Sequence, residues 1–152
     1  MTLTTVCKEF DALTVQELYA LLRLRSEVFV VEQNCVFLDP DNKDQQCHHV
    51  LLYSAEALVA YARLVPPGVS YPSHMSIGRI ITSAQIRGTG VGKQLLDIAR
   101  HLMNTAPDQG ISTDQLAGIS GLTGGMLNKA MADLEALGIA RNDVVVTVFV
   151  HV

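Results

Sequence analysis

Arg87-Gly88-Thr89-Gly90-Val91-Gly92-Lys93 separates a run of strand formers, Met75 to Thr82, from an amphipathic stretch, Gly90 to Met103, whose apolar residues recur at helical spacing. A glycine-rich turn entering a helix presents backbone N–H groups at the positive end of the helix dipole, so it can hold a pyrophosphate without a cationic side chain. Gly90 and Gly92 permit close approach of a ligand, Gly88 can take a positive φ, and Arg87 and Lys93 add positive charge at the edges. The competing reading is a helix start whose glycines serve close packing.

Upstream, Thr5 to Phe10 reads as a short strand, and Thr14-Val15-Gln16-Glu17 fits a capping box that opens a helix. Leu18, Leu21, Leu22, Arg25 and Phe29 follow at roughly helical spacing, with a break into a second helix expected near Ser26. Asp39-Pro40-Asp41-Asn42-Lys43-Asp44 is rich in turn formers and predicts an exposed loop of solvated acids; the Gly and terminal Glu of a calcium loop are missing. His48 to Ser54 and Leu58 to Val65 are strand-like runs at hairpin separation, hence antiparallel neighbours. Pro66-Pro67-Gly68 and Tyr71-Pro72 mark a surface loop before Met75.

At 152 residues and 49% hydrophobic, the chain suits one ordinary domain, or a small domain plus a fragment of another. A net charge of -4 gives no general electrostatic case for nucleic acid. Cys7, Cys35 and Cys47 are odd in number and unpatterned, which predicts reduced thiols and a cytoplasmic location. The N-terminus lacks a basic stretch followed by an apolar run, and the longest apolar stretch, Val144 to Val150, is too short to span a bilayer, so no membrane role is expected. Cys47-His48-His49 is not a zinc set: neighbouring strand side chains point to opposite faces, and no matching Cys pair completes it. No metal is expected, and neither Cys35 nor Cys47 has a readable electropositive setting that would make it a nucleophile.

Arg87 to Gly92 matches the Arg/Gln-x-x-Gly-x-Gly/Ala signature of the GCN5-related N-acetyltransferase (GNAT) superfamily. The chain resembles the ElaA-like branch of that superfamily over residues 5 to 103, through Leu24 to Gln33, Leu58 to Arg63 and Ile77 to Ile80. The resemblance implies an α/β fold, with a mixed sheet flanked by helices and acetyl-CoA as co-substrate. It further implies that the backbone of Ile80, Ile81 and Thr82 bonds the pantetheine arm, and that Arg87, Gly88, Thr89, Gly90, Val91, Gly92 and Lys93 hold the pyrophosphate. An N–H near Ile81 would polarise the thioester carbonyl during direct acyl transfer to an amine. A free alkyl amine has a pKa near ~10, so a base is required. Glu27, Glu32, His49 and His74 are the candidates; their plainer readings are solvated glutamates, a strand histidine and a loop histidine.

The resemblance stops after the helix ending at Met103. No tyrosine lies beyond Tyr71, which leaves the family's general acid without a counterpart, and the GNAT-like sheet is expected to be incomplete. Residues 1–103 form the expected acyl-CoA-binding core and 104–110 a linker. Residues 111–152 form a winged-helix-like helical extension, which weakly resembles segments of RecQ-like helicases. Ser112 and Thr123 cap its two expected helices, and Gly138 stops the second. After Pro107 only Lys129 and Arg141 face five acids, so DNA binding is disfavoured and a structural or protein-contacting role preferred. A run apolar on both faces, Val144 to Val150, needs cover, and its expected place is beside Met75 to Thr82, where the family's missing strand would lie. The absence of a polar tail after Val152 points to a sequence cut short or joined from two sources.

Three functions are therefore weighed. The first is an N-acyltransferase moving an acetyl group from acetyl-CoA to a small-molecule or peptide amine, with a homodimer as the candidate assembly. The second is a catalytically inactive remnant binding CoA or a protein partner, and the third a winged-helix DNA-binding regulator.

Overall fold

The computed structural model describes residues 2–73, 75–104 and 144–146. Elements run in the order β1 (Leu3–Glu9), α1 (Val15–Arg25), a π-helical segment (Ser26–Glu32), β2 (His48–Ser54), β3 (Ala57–Val65), β4 (Met75–Thr82), α2 (Val91–Asn104) and β5 (Val144–Val146). One sheet holds the strands in the order β1-β2-β3-β4-β5. Its first four strands are mutually antiparallel, and β5 runs parallel to β4.

Local signals account for most of these elements. Thr14 Oγ1 accepts from the Glu17 N–H at 3.1 Å while Glu17 Oε2 accepts from the Thr14 N–H at 2.8 Å, the expected capping box. Glu17 also accepts from Lys8 Nζ of β1 at 2.8 Å, tying the helix start to the first strand. The helix changes to π geometry at Ser26, where a break was expected. Between β2 and β3 the turn needs only Ala55 and Glu56, with Ala55 at φ +52.

Strand alternation gives the sheet two buried faces. Val50, Leu52, Ala60, Ala62, Leu64 and Ile77 pack against Leu95, Ile98, Ala99 and Leu102 of α2. On the opposite face Leu51, Tyr61 and Ile81 pack against Leu21 and Leu24 of α1 and Val28 and Phe29 of the π segment. Burying each large aliphatic of this kind contributes about 1.5–3 kcal/mol, so α1 and α2 clamp the sheet from both sides.

Asp39 to Asp44 departs from expectation. Instead of forming a solvated turn, Asp39 and Asp44 are buried, as are Arg25, Arg63 and Arg79. Arg25 donates from Nε to Asp39 Oδ2 at 2.7 Å and from Nη1 to Asp44 Oδ1 at 2.8 Å. Arg63 donates from Nη1 to Asp41 Oδ1 and to Asp44 Oδ1, each at 2.8 Å, and Arg79 donates from Nε to Asp39 Oδ1 at 2.7 Å. The physical reason is charge compensation: three arginines on otherwise apolar faces require buried carboxylates, and this loop supplies them.

The tail strand lies where it was expected, pairing Met75 with Val144, Ser76 with Val145 and Ile77 with Val146. The expected linker and winged-helix elements lie outside the described residues.

Candidate functional site

The site is built on β4. Tyr61 faces Ile81 and Arg63 faces Gly78, so three steps along β4 match two along β3, and Arg79 and Ile80 share the place opposite Ala62. This is a β-bulge. Side-chain placement agrees: Ile77 and Ile80 both pack on the α2 side although three residues apart, which an uninterrupted strand does not allow. Arg79 carries the bulge at φ +53, the left-handed region that residues other than glycine rarely occupy. A bulge puts one residue more on its strand than on the neighbour and disrupts the ladder locally, here at Arg79 and Ile80. On the other edge of β4, β5 pairs only as far as Ile77, and no strand pairs with Gly78 to Thr82 there among the described residues.

The β4 strand runs into a 3-10 turn at Ala84–Ile86 and then into the glycine loop. Gly88 and Gly90 stand at φ +81 and +93, the conformation the motif requires of them. Thr89 Oγ1 donates to the Ile86 carbonyl at 2.6 Å, bracing the turn. Lys93 and Gln94 both donate to the Gly90 carbonyl at 3.2 Å, so the helix bonds begin there. The amides of Val91 and Gly92, in the first turn, have no intrahelical acceptor. A Cβ built on Gly88 meets no atom within 4 Å, so open space lies beside the loop.

Arg87 does not offer free charge to that space. Its Nη1 and Nη2 donate to Glu32 Oε2 at 2.5 Å and Oε1 at 2.9 Å, and Nη2 also donates to the Thr82 carbonyl at 3.0 Å. The guanidinium thus joins the π segment to the end of β4. The structure places Ile80, Ile81 and Thr82 on one strand leading into Arg87 to Lys93, a continuous path along one sheet edge and one helix start.

The base candidates fare differently. His49 is fully buried; its Nε2–H donates to the Asp44 carbonyl at 2.9 Å, which leaves Nδ1 to accept the Tyr61 hydroxyl at 2.7 Å. Burial lowers its pKa, outweighing the Asp44 carbonyl and charge, so it is a neutral core residue with both ring nitrogens committed. Glu32 is held by Arg87, and Glu27 pairs with Arg23 at 2.6 Å. Glu27 also lines a cavity of about 300 Å³ between α1, the start of β3 and Ser83, whose lining includes none of Arg79 to Thr82. His74 lies outside the described residues.

Cys7 and Cys47 are unreactive in character. Burial pushes the Cys7 and Cys47 thiols up to about 11, and Cys47 Sγ donates to the Lys43 carbonyl at 3.0 Å. Among the described residues no cluster suited to a metal ion occurs. No helix among them is long and apolar enough to cross a membrane.

The residues that sequence reasoning missed are Arg25, Asp39, Asp44, Arg63 and Arg79. The signal available for the arginines was a charged residue inside each of three apolar patterns, the Leu18 to Phe29 stripe, β3 and β4.

A bulged antiparallel sheet feeding a glycine loop and helix defines the acetyltransferase class. The Acetyltransferase (GNAT) family profile matches residues 15–115, and the chain belongs to that family. Protein ElaA of Escherichia coli is 45% identical over 86 residues, 55% of this chain and 56% of that protein. A UPF0039 protein of Synechocystis is 42% identical over 90 residues, 59% of this chain and 58% of its own length, so the chain matches rather less than two thirds of such relatives. Among solved structures, an acyl-CoA N-acyltransferase from Pseudomonas aeruginosa superposes with TM-score 0.65 at 40% identity, covering 68% of this chain and 72% of that one. The crystal structure of E. coli ElaA gives 0.63 at 36%, covering 71% and 72%.

Proposed function

We propose that the chain is an N-acyltransferase that moves an acetyl group from acetyl-CoA to a small-molecule or peptide amine. The observation that carries this is the bulge at Arg79–Ile80, on a strand whose edge beyond Ile77, unpaired among the described residues, leads into the left-handed turn at Gly88 and Gly90. The residues fit the co-substrate. The glycine φ values and the space beside Gly88 suit a backbone cradle for pyrophosphate, formed by Arg87 to Lys93, with Val91 and Gly92 as its amide donors. Backbone groups of Ile80, Ile81 and Thr82 would bond the pantetheine arm by adding it as a strand-like partner.

Acetyl-CoA, when bound, supplies a thioester whose carbonyl carbon the amine attacks. The chain's own contribution would be preorganisation: a backbone amide at the bulge would stand ready for the carbonyl oxygen as it gains charge. Further support comes from membership of the GNAT family and the likeness to an acyl-CoA N-acyltransferase. The acyl-CoA-binding core is assigned to residues 1–103, with 104–110 as linker and 111–152 as extension, and the location as cytoplasmic.

A second reading, an inactive protein binding CoA or a protein partner, is favoured by one observation: Glu27, Glu32 and His49 are all committed to other partners. Isothermal titration with CoA, followed by thiol release from acetyl-CoA over an amine panel, tests both. Binding with turnover is expected; binding without turnover selects the second reading, and no binding defeats the first and leaves the second only its protein partner.

A further inference from the structure

We infer that Arg79 is a positioning residue for acyl transfer, acting through the β4 backbone. Clamped to Asp39 and lying over Phe29 and Phe37, its side chain fixes the left-handed bulge that aims a β4 amide at the bound thioester. The inference rests on the acyltransferase reading above.

The backbone observation comes first. Arg79 holds φ +53, whereas Gly78 beside it, which could take such a conformation without steric cost, does not. A left-handed arginine persists only where its surroundings over-determine it. Here they do. Nε donates to Asp39 Oδ1 at 2.7 Å and Nη2 to the Asp39 carbonyl at 3.0 Å, so the guanidinium fork grips one residue by side chain and backbone together. Nη2 reaches Asp41 Oδ2 at 3.4 Å as well. The guanidinium carbon lies 5.5 Å from the Phe37 ring centroid and 6.0 Å from that of Phe29.

The anchor itself does not float. Asp39 Oδ2 accepts from Arg25 Nε at 2.7 Å, and Arg25 is wholly buried at the end of α1. A rigid line therefore runs from α1 through the Asp39 loop to the one residue of β4 whose backbone sets the bulge. Misaiming a catalytic donor by about 1 Å costs up to roughly a hundredfold in rate, so holding this backbone bears directly on turnover.

Three variants test the assignment. Arg79→Lys retains a cation for Asp39 but lacks the fork and the planar face; Arg79→Ala removes the side chain and resists positive φ; Arg79→Gly removes it yet accepts positive φ. In each, Asp39 keeps Arg25 as its partner. The expected result is a kcat for thiol release lowered roughly tenfold to a hundredfold in Arg79→Ala, with KM for acetyl-CoA within about threefold of wild type. Arg79→Gly should be several-fold faster than Arg79→Ala, although glycine is ordinarily the poorer strand residue. Equal rates, or alanine faster than glycine, would overturn the assignment.

Amide hydrogen exchange in the free protein gives a second readout that needs no turnover, and Arg79→Lys is the variant for it should the truncations fail to fold. The protected β4 amides that flank the bulge should exchange at least about tenfold faster than in wild type while β2 amides keep their rates. A uniform rise across the sheet, or no change in the β4 amides flanking the bulge, overturns the clamp. If wild type releases no thiol, the acyltransferase reading fails separately, and exchange still decides whether Arg79 holds the bulge.

Discussion

Arg25 Nη1 donates to Asp44 Oδ1 at 2.8 Å across 19 residues of chain, joining the end of α1 to the foot of β2 inside the protein. A buried pair of this kind adds little over an apolar substitute, and leaving a buried charge with no partner at all costs about 3–5 kcal/mol. Without Arg25, Asp44 keeps Arg63 and Asp39 keeps Arg79, so Arg25→Ala should lose stability by less than that full cost plus the lost packing, seen as a lower urea midpoint at unchanged slope. Arg25→Met, which fills the volume, should lose less than Arg25→Ala; an equal loss would locate the effect in Asp39 and Asp44 rather than in packing.

Acid should unfold the chain in two windows. Burial would raise the Asp44 carboxyl, but hydrogen bonds and charge from Arg25 and Arg63 outweigh it and hold the pKa below the usual carboxylate value. For a depressed carboxylate the unfolded chain binds more protons, so the stability is present above about pH 4 and is lost as pH falls. His49, also depressed, has the same sign: its contribution is present above about pH 6.5 and declines below it. Chemical denaturation between pH 8 and pH 3 should show both declines, and His49→Gln should abolish the upper one alone.

How far the sequence discloses the fold depends on the range of each signal. The capping box at Thr14 and Glu17, the β2–β3 hairpin and α2 arise from neighbours within a few residues, and all were legible. Gly88 takes the positive φ expected of it for the same reason, whereas Gly90, expected only to permit close approach, takes one as well. The Asp39–Asp44 cluster was not, since a polar turn has the same composition whether water or three distant arginines surround it. Arg79 lies 40 residues from Asp39, and nothing local pairs them. The bulge left a faint trace, two isoleucines three apart in a strand, but a single slip of register is invisible without the β3 partner.

Glu32 holds the Arg87 guanidinium at the edge of the glycine loop, with both Arg87 and Glu32 partly exposed. Exposed pairs are worth about 0–1 kcal/mol, so Glu32→Gln should leave the melting temperature nearly unchanged. It should, however, release Arg87 toward an anion in the loop. CoA affinity by titration calorimetry should rise up to about fivefold at low salt and lose most of the gain at high salt. Unchanged affinity would mean that the guanidinium serves only to tie Glu32 to the Thr82 carbonyl.

Gly88 and Gly92 separate the phosphate cradle from simple close packing. A Cβ on Gly92 would meet Thr82 Cγ2 at 3.6 Å, an ordinary contact, and alanine is the better helix former by up to about 1 kcal/mol. Gly92→Ala should therefore fold as well as wild type or better. The N–H remains, but if pyrophosphate approaches it at close range the added Cβ obstructs that approach, and CoA affinity should fall up to roughly tenfold, the loss of one charge-assisted hydrogen bond. Gly88→Ala differs in kind: at φ +81 the added Cβ strains the backbone by about 1–2 kcal/mol, so stability and affinity should fall together. Parallel melts and titrations of the two variants thus isolate the ligand's share. A Gly92→Ala protein that binds CoA like wild type would leave the glycine at 92 as a packing residue and the pyrophosphate to the turn before it.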